Sequence, residues 1–217
     1  MRTMRYPVVL LILDGWGIGK RDPNNPLFVA KPANIARLRT RYLAGSLQSS
    51  GIAVGLPWDE EGNSEVGHLT MGAGKVLYEH FPRITMGIER GDFFKSPALT
   101  GALDHAKKTG GAVNLVGLLT EGNVHASLTH VKALLLAAKE RGAHDVNLHL
   151  FTDGKDSRPR SALDLIARVE AFATEYGVGR IATIAGRYYA LDRDEHWDRT
   201  QQTYRALTAG TPLAGDI

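Results

Sequence analysis

The chain contains no cysteine, so neither a disulfide nor a thiolate metal site can form. It also lacks any apolar stretch approaching the roughly 20 residues of a membrane-spanning helix. The run Val8–Leu13 near the N-terminus is too short for the core of a secretory signal and stops at Asp14. No membrane partner is expected, and the expected location is the cytoplasm. Charge of one sign is scarce as a block. The 26 Lys and Arg are interspersed with 23 Asp and Glu, for a net charge of +3. That distribution argues against a nucleic-acid partner, whereas arginines scattered in loops suit a small anionic ligand. There is no internal repeat and no low-complexity segment. What remains, 43% hydrophobic and 23% charged over 217 residues, is the composition of a globular protein with one large domain or two modest ones.

Hydrophobic periodicity divides the chain into two textures. In the first, Pro7–Leu13 reads as a buried parallel strand with Asp14 at its C-terminal end, where open α/β sheets collect ligands. Residues 16–27 read as loop, Ala33–Leu43 as a helix, Ser46–Ser50 as a possible strand and residues 51–62 as loop. A helix is expected to start in Gly62-Asn63-Ser64-Glu65-Val66-Gly67-His68. The segment Phe81–Glu89 is ambiguous between strand and helix. In the second texture, Ser96-Pro97 opens a helix to about Lys108. Strands at Ala112–Leu119, Val146–Phe151 and Ile181–Ala185 then alternate with helices at Leu128–Lys139, Ser161–Tyr176 and Trp197–Leu207. The inward face of the second of these helices is read as Leu163, Ile166, Val169 and Phe172. Alternation of this kind implies a parallel sheet flanked by helices. The loops that begin at Thr120, Thr152 and Gly186 would then share one edge of it. A boundary is placed in the Gly-rich segment near residues 74–80.

Several residues invite a chemical reading, each with a plainer alternative. Ser64 at a helix N-terminus lies among free N–H groups that favour phosphate; it is equally placed to be an ordinary N-cap. His68, one turn on, could orient or deprotonate that serine, or simply pack. Asp14 is a candidate metal carboxylate or a turn aspartate. His125 could donate to a phosphate or be a loop histidine. Asp153, Lys155 and Asp156 could pair a proton acceptor with an anion grip, or form a solvated turn. Arg187 and Arg193 could clamp a carboxylate or phosphate, or make surface ion pairs. The remaining histidines have no metal-ligand spacing.

The ordered set Leu13-Asp14-Gly15-Trp16-Gly17, Gly62–His68, Gly117-Leu118-Leu119, Val124-His125, Asp153-Gly154-Lys155-Asp156 and Gly186–Asp194 resembles the cofactor-independent (2,3-bisphosphoglycerate-independent) phosphoglycerate mutases of the alkaline phosphatase superfamily. The resemblance implies interconversion of 2- and 3-phosphoglycerate through a phosphoserine, with two manganese ions, or magnesium in some members. By resemblance, Ser64 is the nucleophile and also a metal ligand, and Asp14 is a metal ligand. His125 contacts the substrate phosphate, Lys155 and Asp156 bind the glycerate, and Arg187 and Arg193 hold substrate anions. The chain departs from the family in having Lys155 for an arginine, Glu121-Gly122-Asn123 for Asp-Gly-Gly, and Ser127 for a histidine.

The implied fold is α/β. Residues 1–78 would be the first part of a split phosphatase-like domain, and residues 79–217 an incomplete inserted substrate-binding domain with a mostly parallel sheet. The chain is expected to stop inside that insertion, to be inactive alone, and to be monomeric at full length, with most metal ligands beyond residue 217. The alternatives are a metal-dependent phosphatase or other phosphomutase of the same superfamily, or a non-catalytic binding fragment.

Overall fold

The computed structural model describes residues 7–58 and 60–209. Within them the chain divides into two compact units, Met1–Glu79 and His80–Ile217. The expected stop inside an inserted domain falls on residues 210–217, outside the described residues.

The first unit has helices α1 (Pro26–Ala30), α2 (Ala33–Arg41) and α3 (Ser64–Ala73), and a short 3-10 turn at Gly51–Val54. The expected buried strand at Pro7–Leu13 is absent. Those residues carry no regular secondary structure, and Val8 is 97% exposed. A strand of this composition is stable only between partners that cover both faces, and no strand occurs among the described residues of this unit. Ser46–Ser50 likewise forms no strand, and the last two residues of the stretch read as loop begin α1, opened by the Asn25 side chain, which accepts from Leu27 N, and by Pro26 at its first position.

The second unit is the α/β layer the alternation implies. Its elements are α4 (His80–Arg90), α5 (Pro97–Thr109), β1 (Val113–Leu119), α6 (Leu128–Arg141), β2 (Val146–Thr152), α7 (Ala162–Tyr176), β3 (Arg180–Gly186), α8 (Arg187–Ala190) and α9 (Trp197–Ala209). The ambiguous segment at residues 81–89 is thus helical. Helix α5 begins at Pro97 as expected, although the Ser96 side chain makes no capping bond. The three strands lie in the order β1-β2-β3 and pair in parallel throughout. Each of α5, α6 and α7 stops on a glycine with positive φ (Gly110 69°, Gly142 69°, Gly177 67°). That left-handed C-cap is open to glycine at little cost, and it turns the chain into the next strand.

The core joins α5, α6 and α7 to one face of the sheet through Leu103, Leu135, Leu148, Leu150, Leu165 and Val169. The opposite face carries a polar row in which His149 bridges Asn114 and Thr183 at 3.1 and 2.9 Å. Helix α7 corrects one expectation. Leu163 points outward, 74% exposed, and Leu165 points inward at 2%. Leu165, Val169 and Phe172 share the i, i+4, i+7 face, and Leu163 sits two residues, over half a turn, off it. Leu165→Ala is therefore expected to lower the unfolding free energy by about 2–5 kcal/mol in urea titrations. Leu163→Ala is expected to change it by less than about 0.5 kcal/mol. The reverse order would contradict this packing.

Candidate active site

In the first unit, Ser64 is the first residue of α3. The capping role belongs to its neighbour, because Asn63 Oδ1 accepts from Val66 N at 3.2 Å. The Ser64 hydroxyl is left free to donate to the Asp14 carboxylate across 50 residues of sequence. Asp14 sits in the turn closed by the bond from Trp16 N to Leu13 O (3.0 Å), with Gly15 at φ 77°. Both side chains are exposed. His68 Nδ1 lies 2.7 Å from the carbonyl oxygen of Ser64 and 3.4 Å from its Oγ. A carbonyl can only accept, so Nδ1 carries the proton. That nitrogen cannot then be the base that deprotonates Ser64, and the first reading of His68 narrows to an orienting residue.

Asp14 and Ser64 offer hard oxygen donors of the kind Mn²⁺ and Mg²⁺ prefer. Two donors fall short of the roughly four to six such an ion needs. A metal held here would require ligands beyond this pair. The one group of three ligands among the described residues is elsewhere: Asp192, Asp194 and His196 in the second unit. Its carboxylate Asp192 is already used by His196 Nδ1 (3.1 Å) and by Arg199 Nη1 (2.9 Å), whose guanidinium stacks on Tyr188 at 4.0 Å.

The second unit gathers the ends of all three strands into one polar network. Thr120 follows β1, Asp153 follows β2 and Arg187 follows β3. Arg187 Nη1 donates to Asp153 Oδ1 at 2.6 Å and to Asp156 Oδ2 at 2.8 Å. Asp153 also accepts from Thr120 Oγ1 (2.6 Å) and from the backbone N–H groups of Lys155 (3.0 Å), Asp156 (3.2 Å) and Ser157 (2.6 Å). Ser157 Oγ, 2.8 Å from Thr120 Oγ1, accepts from Glu121 N. Gly122 lets the β1 loop approach this closely. A Cβ there would stand 2.5 Å from the Asp156 carbonyl oxygen and 2.6 Å from its Cβ.

The charges respond to this arrangement. Burial works against ionisation of Asp153. The hydrogen bonds from Thr120, Arg187 and the backbone of Lys155 and Asp156 prevail and hold its carboxyl well below the usual carboxylate range. Arg187 is pushed up by its bonds to Asp153 and then Asp156. Asp153, read as a possible proton acceptor, cannot serve as one, since its side chain is fully buried and its oxygens are occupied. Asp156, 15% exposed, keeps Oδ1 free of partners among the described residues and lies 3.9 Å from His125 Nε2. His125, Asp156 and Arg187 are therefore brought together. Lys155 is on the same loop with its side chain exposed. Arg193 is exposed and makes no ion pair among the described residues. Thr120 and Ser157, which the sequence reading passed over, carried no signal beyond their position at strand ends.

Residues 84–215 match the family model described as BPG-independent PGAM N-terminus (iPGM_N). The 2,3-bisphosphoglycerate-independent phosphoglycerate mutase of Clostridium beijerinckii is 46% identical over 206 residues, covering 95% of this chain and 40% of that protein. The corresponding mutase 1 of Methanosarcina barkeri is 45% identical over 210 residues, covering 97% and 41%. A crystal structure of Leishmania mexicana phosphoglycerate mutase at low cobalt concentration is similar with a TM-score of 0.64 and 29% identity, covering 92% of this chain and 38% of that one. The chain thus spans about 40% of the length of the curated relatives it matches.

The depressed carboxyl of Asp153 has a pH consequence. A group whose pKa is lower folded than unfolded stabilises the fold fully above its unfolded value, about 3.9 for aspartate, and progressively less as pH falls below that. Thermal unfolding followed by circular dichroism is expected to show a loss of stability from about pH 4 downward. In Asp153→Asn that part of the loss should be missing, with a lower melting temperature at pH 7.

Proposed function

The chain belongs to the BPG-independent phosphoglycerate mutase N-terminus family, and from that premise we propose that it carries the phosphoryl-accepting serine and the glycerate pocket of such a mutase. The reaction would be the interconversion of 2- and 3-phosphoglycerate. The observation that carries the reading is Asp156 beside Arg187. A ligand that is only an anion would meet repulsion from Asp156. A hydroxy acid can satisfy both, its carboxylate or phosphate facing the cations Lys155 and Arg187 and the His125 ring, and its hydroxyl donating to the free Oδ1 of Asp156.

Ser64 would take the phosphoryl group and return it to the other hydroxyl of the glycerate. Its proton would pass to the Asp14 carboxylate that already accepts its hydrogen bond. The N–H groups of the first turn of α3 favour the phosphate formed there. Lys155 would act as a point charge rather than a bidentate grip, and Arg193 would reach the anion only on ligand binding. We assign Mn²⁺, with Mg²⁺ as the alternative, to Asp14 and Ser64 together with ligands outside that pair. When bound, such an ion lowers the pKa of a hydroxyl and neutralises phosphate charge. No helix of the described residues is long and apolar enough to cross a membrane; a cytoplasmic location is part of the proposal. A monomer, with a small-molecule substrate and no nucleic acid or membrane partner, completes the proposal.

By itself the chain should bind phosphoglycerate without turnover. The activity is tested in a chimera in which this chain replaces the matching N-terminal part of the Clostridium beijerinckii mutase. With Mn²⁺ and 3-phosphoglycerate the chimera is expected to form 2-phosphoglycerate, and Ser64→Ala should abolish both turnover and the phosphoenzyme. Release of free phosphate without 2-phosphoglycerate would point to a phosphatase instead. A phosphoserine at another position would refute the role of Ser64.

A further inference from the structure

The glycerate-pocket reading rests on Asp156 and Arg187, yet neither side chain is fixed by its own strand. Asp153 holds both, Arg187 through its guanidinium and Asp156 through its backbone N–H. Asp153 Oδ1 accepts from Arg187 Nη1 and from the N–H groups of Lys155 and Asp156, and Oδ2 accepts from Thr120 Oγ1 and Ser157 N. Five donors converge on two oxygens that offer about four lone-pair positions. The same oxygen that ends the β2 loop also grips the guanidinium from β3.

We propose that Asp153 is a positioning residue of the anion pocket, a buried carboxylate that sets the direction of the Arg187 guanidinium and the loop carrying Lys155 and Asp156. Asparagine cannot take its place. Whichever way an amide is turned, its NH₂ group meets either Thr120 and Ser157 or Arg187 and two backbone N–H groups, so donor faces donor. The cost falls on the ligand as well. With Asp153 silent, Arg187 keeps only the bond to Asp156 Oδ2, its guanidinium is no longer fixed in direction, and a ligand meets a cation that is not preorganised. Thr120, itself fully buried, supports Asp153 from the far side without reaching Arg187.

The test uses the whole chain labelled with ¹⁵N. In the wild type, the Arg187 guanidinium N–H signals should be resolved and slow to exchange with water, because Nη1 is held between two carboxylates. In Asp153→Asn those signals should be lost while the backbone signals of β1, β2 and β3 remain. Affinity for 3-phosphoglycerate, measured by calorimetry, should fall at least roughly tenfold, the scale of a lost charge-assisted hydrogen bond. A protected Arg187 signal that persists in Asp153→Asn would overturn the proposal. If that variant does not fold, Thr120→Val decides. It removes one donor to Asp153 and leaves the pocket side chains intact, and should speed Arg187 exchange several-fold; an unchanged rate would overturn the proposal. A wild-type chain with a protected Arg187 signal but no affinity for 3-phosphoglycerate would instead count against the mutase reading alone.

Discussion

The second unit turns on one buried carboxylate. Asp153 draws hydrogen bonds from the segments that follow β1, β2 and β3, and so converts three adjacent strand ends into one rigid polar floor. The parallel arrangement makes this possible, because only in a parallel sheet do consecutive strands finish on the same edge. The helices contribute indirectly. Leu135, Leu165 and Val169 anchor α6 and α7 against the sheet, and the glycine stops that follow α5, α6 and α7 feed each strand in at the same end. An ion pair buried this deeply is expensive unless its remaining lone pairs are filled. Here they are, by backbone N–H groups and a threonine hydroxyl. The outcome is an arginine and a second carboxylate, Asp156, set side by side with histidine close by, which is an arrangement fitted to a ligand bearing both an anion and a hydroxyl.

The first unit is governed by a different constraint. Its most apolar segment, Val8–Leu13, lies exposed, and its few buried residues include Leu56, Gly51 and Val66. What it does define is local. Asn63 takes the capping role at the start of α3, and this frees the Ser64 hydroxyl for Asp14. The two oxygens are hard donors, fewer than a divalent cation takes. The chain matches its relatives over about 40% of their length.

Much of the second unit was legible in the sequence because periodicity there is strong and local. Helices ending in glycine, strands rich in Val, Leu and Ile, and polar residues soon after them could be read without tertiary information. Leu163 was misread for a simple reason: with apolar residues at 163, 165, 166, 169 and 172, two overlapping stripes fit a helix, and only packing chooses between them. The strand at Val8–Leu13 failed because a buried-strand pattern states a need for partners, not their presence. The candidate residues Ser64, Asp14, His125, Asp156 and Arg187 were visible as polar side chains at strand and helix ends. The role of Asp153 was not. Two of its five donors, Thr120 and Arg187, come from 33 and 34 residues away, and no local pattern distinguishes it from the solvated turn aspartate it was equally able to be. His68 shows the same limit. Its spacing from Ser64 suggested a base, and only the nearby Ser64 carbonyl reveals which nitrogen holds the proton.

The central claim is that the common edge of β1, β2 and β3 is where a hydroxy-acid phosphate binds. It is tested most directly by titrating 3-phosphoglycerate into the ¹⁵N-labelled chain and mapping the amide shifts. The account predicts saturable shifts concentrated at residues 120–125, 153–157 and 186–188, with glycerol, which has the hydroxyls but no anion, producing none. Shifts confined to other surfaces, or equal shifts with glycerol, would contradict it.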